Sequence, residues 1–344
     1  YRSVGRKRQR YRCRACGRTF SRRSLSIDYW THFPIDYEEL LESFVAGSSI
    51  RALSRRFGVT TKTVLNRISR LARSALEQMG FTQQQMMLTE DLVADGLQNF
   101  CVSQDFPCDI HLLAGKESQF LYGFNYALFR RTGKRTPAQE SRCKRLYPMV
   151  DFTRFPIKRS FAELLIQLLR VGGETERFST FTDEKEQYRL AILENPELER
   201  RRLEERHEHV RIKSRAPRTV HNPLFSVNYL DREARKDIPE FHRETVCFGR
   251  NVVNMLERVV LYFFHHNFCK CYRIGVTGEN RTHAEVAGMN KEEVGRIVET
   301  AFRRRGFLND GAIPYGSFFE ALWRREVPTP LKKREEYVPK YTVA

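Results

Sequence analysis

Two cysteines at knuckle spacing, Cys13-Arg-Ala-Cys16, stand among Arg2, Arg6, Lys7, Arg8, Arg10, Arg12, Arg14, Arg18, Arg22 and Arg23, and no acidic residue appears before Asp28. Paired thiolates are half of a tetrahedral zinc site, which needs four ligands. The sequence opens on Tyr1 rather than Met; a second knuckle upstream would complete a zinc ribbon, and without one Cys13 and Cys16 are a metal-free remnant. The surrounding arginines repel one another and attract phosphate, so residues 1–24 read as an arm for nucleic acid. Next comes Ile50-Arg-Ala-Leu53-Ser-Arg-Arg-Phe57-Gly58-Val59-Thr-Thr-Lys-Thr-Val64, which has helix-turn-helix spacing, with small Ala52 between the helices and the turn at Gly58-Val59. Its second helix would expose Thr61, Lys62, Thr63, Asn66 and Arg67, types that hydrogen-bond base edges or phosphates of double-stranded DNA. A three-helix bundle with an ordinary basic surface would carry the same residues.

The elements that would position these groups follow from periodicity. Helical spacing runs through 37–80: Leu40, Leu41, Phe44 and Val45, then Ile50, Leu53 and Phe57, then Val64, Leu65, Ile68 and Leu71. Thr82 to Gln85 reads as a polar linker. From Leu88 the texture changes to β-branched and aromatic alternation. Leu92 to Phe100, Ile110 to Leu113 and Phe120 to Phe129 are expected as a three-stranded meander. An apolar helix is expected at Phe161 to Leu169, a short strand at Arg177 to Phe181, and a helix from about Glu186. Asn195 to His209 is a charge run that reads as a solvated helix face, and Val210 to Lys213 as another strand. Helices are then expected over Val227 to Lys236 and Asn251 to Phe264. The expected fold is therefore α/β: an RNase H-like mixed sheet flanked by helices over 88–275, preceded by a cysteine knuckle and a small all-α domain, and followed by a helical and basic region at 276–344.

Composition agrees with an anionic polymer partner. The 344 residues carry 60 Lys and Arg against 42 Asp and Glu, a formal net charge of +18. Hydrophobic residues at 41% suffice for packed interiors. The eight cysteines have no framework spacing, as expected of reduced thiols in a cytoplasmic protein. The longest apolar run, Val259 to Phe264, is too short to cross a bilayer.

The segment Arg10-Tyr-Arg-Cys13-Arg-Ala-Cys16-Gly-Arg-Thr-Phe20-Ser, the helix-turn-helix spacing and a mixed sheet with spaced acids together resemble a bacterial insertion-sequence transposase of the DDE class. The likeness lies in the order of parts across nearly the whole chain. It implies an RNase H-like catalytic domain in which three carboxylates hold two Mg²⁺ (or Mn²⁺) ions for in-line phosphoryl transfer on DNA. It further implies binding to the element's terminal inverted repeats and to target DNA, by a homodimer or larger synaptic complex. In that frame the first acid is Asp95, inside an apolar strand, with Glu90 and Asp91 as rivals at the strand's start. The second is Asp183, at the end of a short strand; its competing role is to cap the following helix, and Glu184 and Glu186 are poorer choices. The third is Asp231, three residues after Asn228 and so on the same helical face, where related transposases present Asn-x-x-Glu; Glu233 is its rival. Arg243 and Arg250, in Arg243-Glu-Thr-Val-Cys247-Phe-Gly-Arg250, resemble a family segment and would hold phosphates, or else are lone surface arginines. A chain whose acids fail to converge would instead be a DNA-binding regulator or a decayed transposase.

Overall fold

The computed structural model describes residues 9–171, 177–242, 247–273, 275–306 and 317–332. The knuckle is a small antiparallel hairpin of β1 (Tyr11–Arg12) and β2 (Thr19–Phe20), closed by Gly17 at φ +69°. Three helices follow: α1 (Tyr37–Val45), α2 (Ile50–Arg56) and α3 (Thr61–Gln85). Each starts where a side chain accepts an otherwise unpaired N–H: Asp36 from Glu38 and Glu39, Ser49 from Ala52, and Thr60 from Thr63. Leu40, Leu41, Leu53, Val64, Ile68 and Leu71 bury the apolar faces. The polar stretch 82–85, expected as a linker, instead completes α3. Buried Thr82 returns its hydroxyl to Gln78 O at 2.9 Å, and buried Gln83 donates its amide N–H to Tyr122 O at 2.6 Å, so both side chains are held inside the protein, with only Gln83 Oε1 left without a hydrogen bond.

The sheet comprises β3 (Leu92–Phe100), β4 (Pro107–Gly115), β5 (Leu121–Leu128), β6 (Phe178–Thr182) and β7 (His207–Arg211), in the order β5-β4-β3-β6-β7. β3–β4 and β4–β5 pair antiparallel, while β3–β6 and β6–β7 pair parallel. The parallel pairings require crossovers, supplied by α4 (Pro137–Leu146) and α5 (Pro156–Val171), then α6 (Glu186–Leu193) and α7 (Pro196–Leu203). The charge run 195–209 divides into α7 and the start of β7, and Arg201 within it is buried with Nε on Glu197 at 2.7 Å rather than solvated. Beyond β7 come α8 (Phe225–Asp237), α9 (Val252–Phe268), α10 (His283–Val286), α11 (Lys291–Arg303) and α12 (Ser317–Arg324).

Each face of the sheet has its own helices. Across β4 and β5, His111 and Asn125 face α5 and α6, where the His111 ring meets Phe161 and Tyr188 and Asn125 donates to Ser160 O at 3.0 Å. On the other face, Phe124 packs against Phe263 of α9 and Phe319 of α12. Tyr262 to Asp237 (2.8 Å) and Lys270 to Glu233 (3.4 Å) tie α8 alongside α9. One continuous set of buried apolar side chains runs from Ile27 to Val327, joining α1–α3 to the sheet. Among the described residues, no helix is long and apolar enough to cross a membrane.

Candidate active site

Asp95 and Asp183 are neighbours because of strand register. β3 and β6 pair as Leu92↔Thr180, Val93↔Phe181 and Ala94↔Thr182, and each acid is the next residue along its strand. Equal parity puts both carboxylates on the same face, and Asp95, opposite Leu112 in the β4 register, shares its face with the α8 and α9 side. β6 ends before Asp183, so Asp95 lies beside a strand terminus, where the sheet opens. Asp95 Oδ1 accepts from Gly96 N at 2.7 Å, and Asp183 Oδ1 accepts from Lys185 N at 3.0 Å. Asp183 therefore does serve the turn that launches α6, without leaving the side of Asp95. Burial, followed by the charge of Asp183, pushes Asp95 up to about 6. Asp95 therefore resists ionising unless a cation offsets its charge.

The rival acids are occupied elsewhere. Glu90 accepts from Glu117 N and Ser118 N, both at 2.9 Å, and from the Tyr122 hydroxyl, closing the β4–β5 turn. Asp91 accepts from Ser179 N at 2.8 Å and pairs with Lys116. Glu184 binds Ser214 N at 3.0 Å, and Glu186 pairs with Arg189.

The third expected acid does not join them. Asp231 lies on α8, on the side of the sheet that Asp95 faces, but its carboxylate holds Arg235 Nε at 3.0 and 3.1 Å. The same guanidinium donates to Phe241 O and Gln98 O, both at 3.0 Å, which anchors α8 to β3. Glu233 pairs with Lys270. Among the described residues, no three His, Cys, Asp or Glu side chains converge to hold a metal ion.

Four residues that sequence reasoning passed over brace the acids from the opposite face. Asp109, wholly buried on β4, pairs through Oδ2 with Lys185 Nζ at 2.9 Å, while its Oδ1 has no hydrogen-bond partner. Burial alone would lower the Lys185 pKa, but the Asp109 charge holds it above its ordinary value. Lys185 also rests on the Tyr188 ring, 4.7 Å from its centroid. Tyr188 Oη and His111 Nδ1 are 2.9 Å apart, and burial lowers His111 to about 4, so the imidazole is neutral. A Cβ on Gly96 would fall on the Asp109 carboxylate, which is why glycine follows Asp95.

The expected DNA-contacting residues divide. Thr61 and Lys62 are exposed at the start of α3, and Thr63 is half-buried, its hydroxyl within 3.0 Å of that of Thr60. Asn66 points inward, accepting from Arg70 Nε at 3.0 Å and Arg67 Nη1 at 3.1 Å. Arg67 corrects the expectation of an exposed base-reading side chain: it is buried and donates to Phe33 O at 2.9 Å. Arg70 reaches Ile27 O and Tyr29 O, and Arg73 reaches Trp323 O, so this basic stripe of α3 holds the segment before α1 and the helix α12 instead of facing outward. Arg250 is exposed, and Arg243 lies outside the described residues. Cys13 adopts the knuckle turn, with Gly17 N on its carbonyl at 2.9 Å, and a hydrogen bond from the Cys16 backbone lowers its thiol pKa. That donor set is half of a zinc site. His266 and His283 stack 3.8 Å apart and bond to Gln119 O and Ser118 O, as buried capping histidines do. Neither protein-family models, curated proteins nor solved structures gave a match to the chain.

Proposed function

We propose that this chain is a DNA transposase of the DDE class, which binds element ends and carries out cation-dependent strand cleavage and strand transfer. One observation carries the reading. The first strand of a five-stranded mixed sheet lies at its centre, antiparallel to the second and parallel to the fourth, and sets Asp95 beside Asp183 on one face. That strand order and the placing of those two acids support the reading; the third carboxylate of an RNase H-like core has no counterpart beside them among the described residues, since Asp231 holds Arg235.

Asp95 and Asp183 offer hard carboxylate oxygens, and the opposed charge of Asp95 suits Mg²⁺ or Mn²⁺. Such an ion would supply electrophilic stabilisation of charge developing on the phosphoryl oxygens and the leaving oxygen. The chain's own part is positional. Gly96 N and Lys185 N fix the two carboxylates, and the Asp109–Lys185 pair holds the strand end from below. Exposed Thr61, Lys62 and Arg250, with the arginines of the knuckle, would bind the DNA backbone. Two element ends held together imply a homo-oligomer.

A second reading rests on a specific contact. With Asp231 committed to Arg235 and Glu233 to Lys270, a non-catalytic DNA-binding regulator fits the same fold. Electron paramagnetic resonance of Mn²⁺ separates the two. The transposase reading expects stoichiometric binding by the wild type that is lost in Asp95→Asn and in Asp183→Asn. Equal, weak binding by all three proteins favours the regulator.

A further inference from the structure

A second cavity, of about 690 Å³, lies between the start of the α2–α3 pair and the segment leading into α9. Neither Asp95 nor Asp183 lines it, and it falls within the size range of small-molecule sites. Its walls are mostly apolar, from Phe44, Ile50 and Leu65 on the helical side and Phe248 and Met255 on the other. Three exposed cations, Arg51, Arg250 and Lys332, also line it. The remaining charged pair is Glu240 and Arg258, ion-paired to each other. Glu240 is only 4% exposed, yet its Oε1 has no hydrogen-bond partner, and neither has Arg258 Nε. A buried carboxylate oxygen left unpaired is costly unless a donor reaches it. Phe248 is braced edge-on by Phe100 of β3, and Val102 N bonds Gly249 O at 3.0 Å, so the wall is anchored to the strand that carries Asp95.

Flat apolar walls, cations and an acceptor short of a donor are complementary to one kind of molecule. The geometry points to a nucleotide-binding pocket, in which the base seats between Phe248 and the α2–α3 wall, a base N–H reaches Glu240, and the phosphate meets Arg51, Arg250 and Lys332. The nucleotide has two possible sources. It is either a free mononucleotide or one extruded from a strand held by the adjacent helices. The pocket is independent of the cation site, so it stands or falls even if no DNA is cut.

The test uses the full chain and two probes, without divalent metal: a fluorescent-labelled dGMP, and a labelled duplex with or without one unpaired guanine. Two variants accompany the wild type. Glu240→Gln removes the acceptor charge. Ser48→Trp fills the cavity from a lining residue whose side chain makes no hydrogen bond, and thermal melting checks its fold. Saturable dGMP binding by the wild type, weakened about tenfold or more by either variant, supports the pocket. Preference for the duplex with an unpaired base, abolished in a folded Ser48→Trp protein, supports it and identifies extruded DNA as the source. If dGMP binds but the two duplexes are held alike, the pocket stands as a free-nucleotide site. No saturable binding of either probe, or binding indifferent to a folded Ser48→Trp protein, overturns the inference.

Discussion

Replacing Asp95 with asparagine is expected to stabilise the metal-free protein at pH 8 and to leave it nearly unchanged at pH 4. Asp95 is half-buried, and its pKa rises from 3.8 to about 6 on folding, first through burial and then through Asp183. Because the folded value is the higher one, the neutral acid's contribution to stability is fully present below 3.8 and is lost as pH climbs through about 6. At ~1.4 kcal/mol per pH unit, the gap corresponds to ~3 kcal/mol, an upper figure for a partly solvated group. Asparagine keeps the acceptor for Gly96 N but never charges. Urea unfolding in a chelator, from pH 4 to pH 8, should therefore show the variant gaining on the wild type by ~2–3 kcal/mol, with most of the gain between pH 4 and pH 6. Adding Mg²⁺ or Mn²⁺ at pH 8 should stabilise the wild type and not the variant, since only the ionised pair gains from a cation. A stability difference that stays flat from pH 4 to pH 8 would refute the claim that burial, aided by Asp183, opposes the charge of Asp95.

Three further outcomes follow from neighbouring contacts. Lys185→Met leaves Asp109 as a buried, uncompensated carboxylate, and chemical denaturation should show a loss of ~3–5 kcal/mol, substantially recovered when Asp109→Asn is added. Gly96→Ala drives a methyl onto the Asp109 carboxylate; a loss of ~1–3 kcal/mol in the same assay is expected, with none if the strand can shift freely. On DNA, Lys62→Ala should reduce the slope of log affinity against log salt by about one, whereas Arg67→Ala should lower stability by ~1–3 kcal/mol and leave that slope unchanged.

The first four strands and the positions of two acids were legible because strand chemistry is local, whereas β7 (His207–Arg211) begins inside the charge run read as a helix face and ends short of the expected Lys213. β3 spans the residues read from the alternation, and Asp95 and Asp183 fall where an acid in an apolar strand and an acid at a strand end were expected. Asp109 and His111 were not legible. They sit in a strand buried along its whole length, and their partners Lys185 and Tyr188 are 76 and 77 residues away. Arg67 misled for a related reason. It follows the exposed start of α3 as a DNA-facing residue would, but the carbonyl that holds it comes from Phe33, and Arg70 and Arg73 further along the helix are likewise taken up by residues 27–29 and Trp323. No local pattern encodes that closure. Asp231 lies on the helix after the last strand, as expected, yet Arg235, one turn on, captures it.

The most direct measurement is cleavage of a labelled duplex carrying the element's own end, in Mg²⁺ and in Mn²⁺, by wild type and by Asp183→Ala, with binding of both proteins measured in parallel. The account predicts that both bind and only the wild type cuts. Binding by both with no cleavage by either in Mn²⁺ would contradict it, and the Asp231–Arg235 pair would then mark a regulator rather than a nuclease.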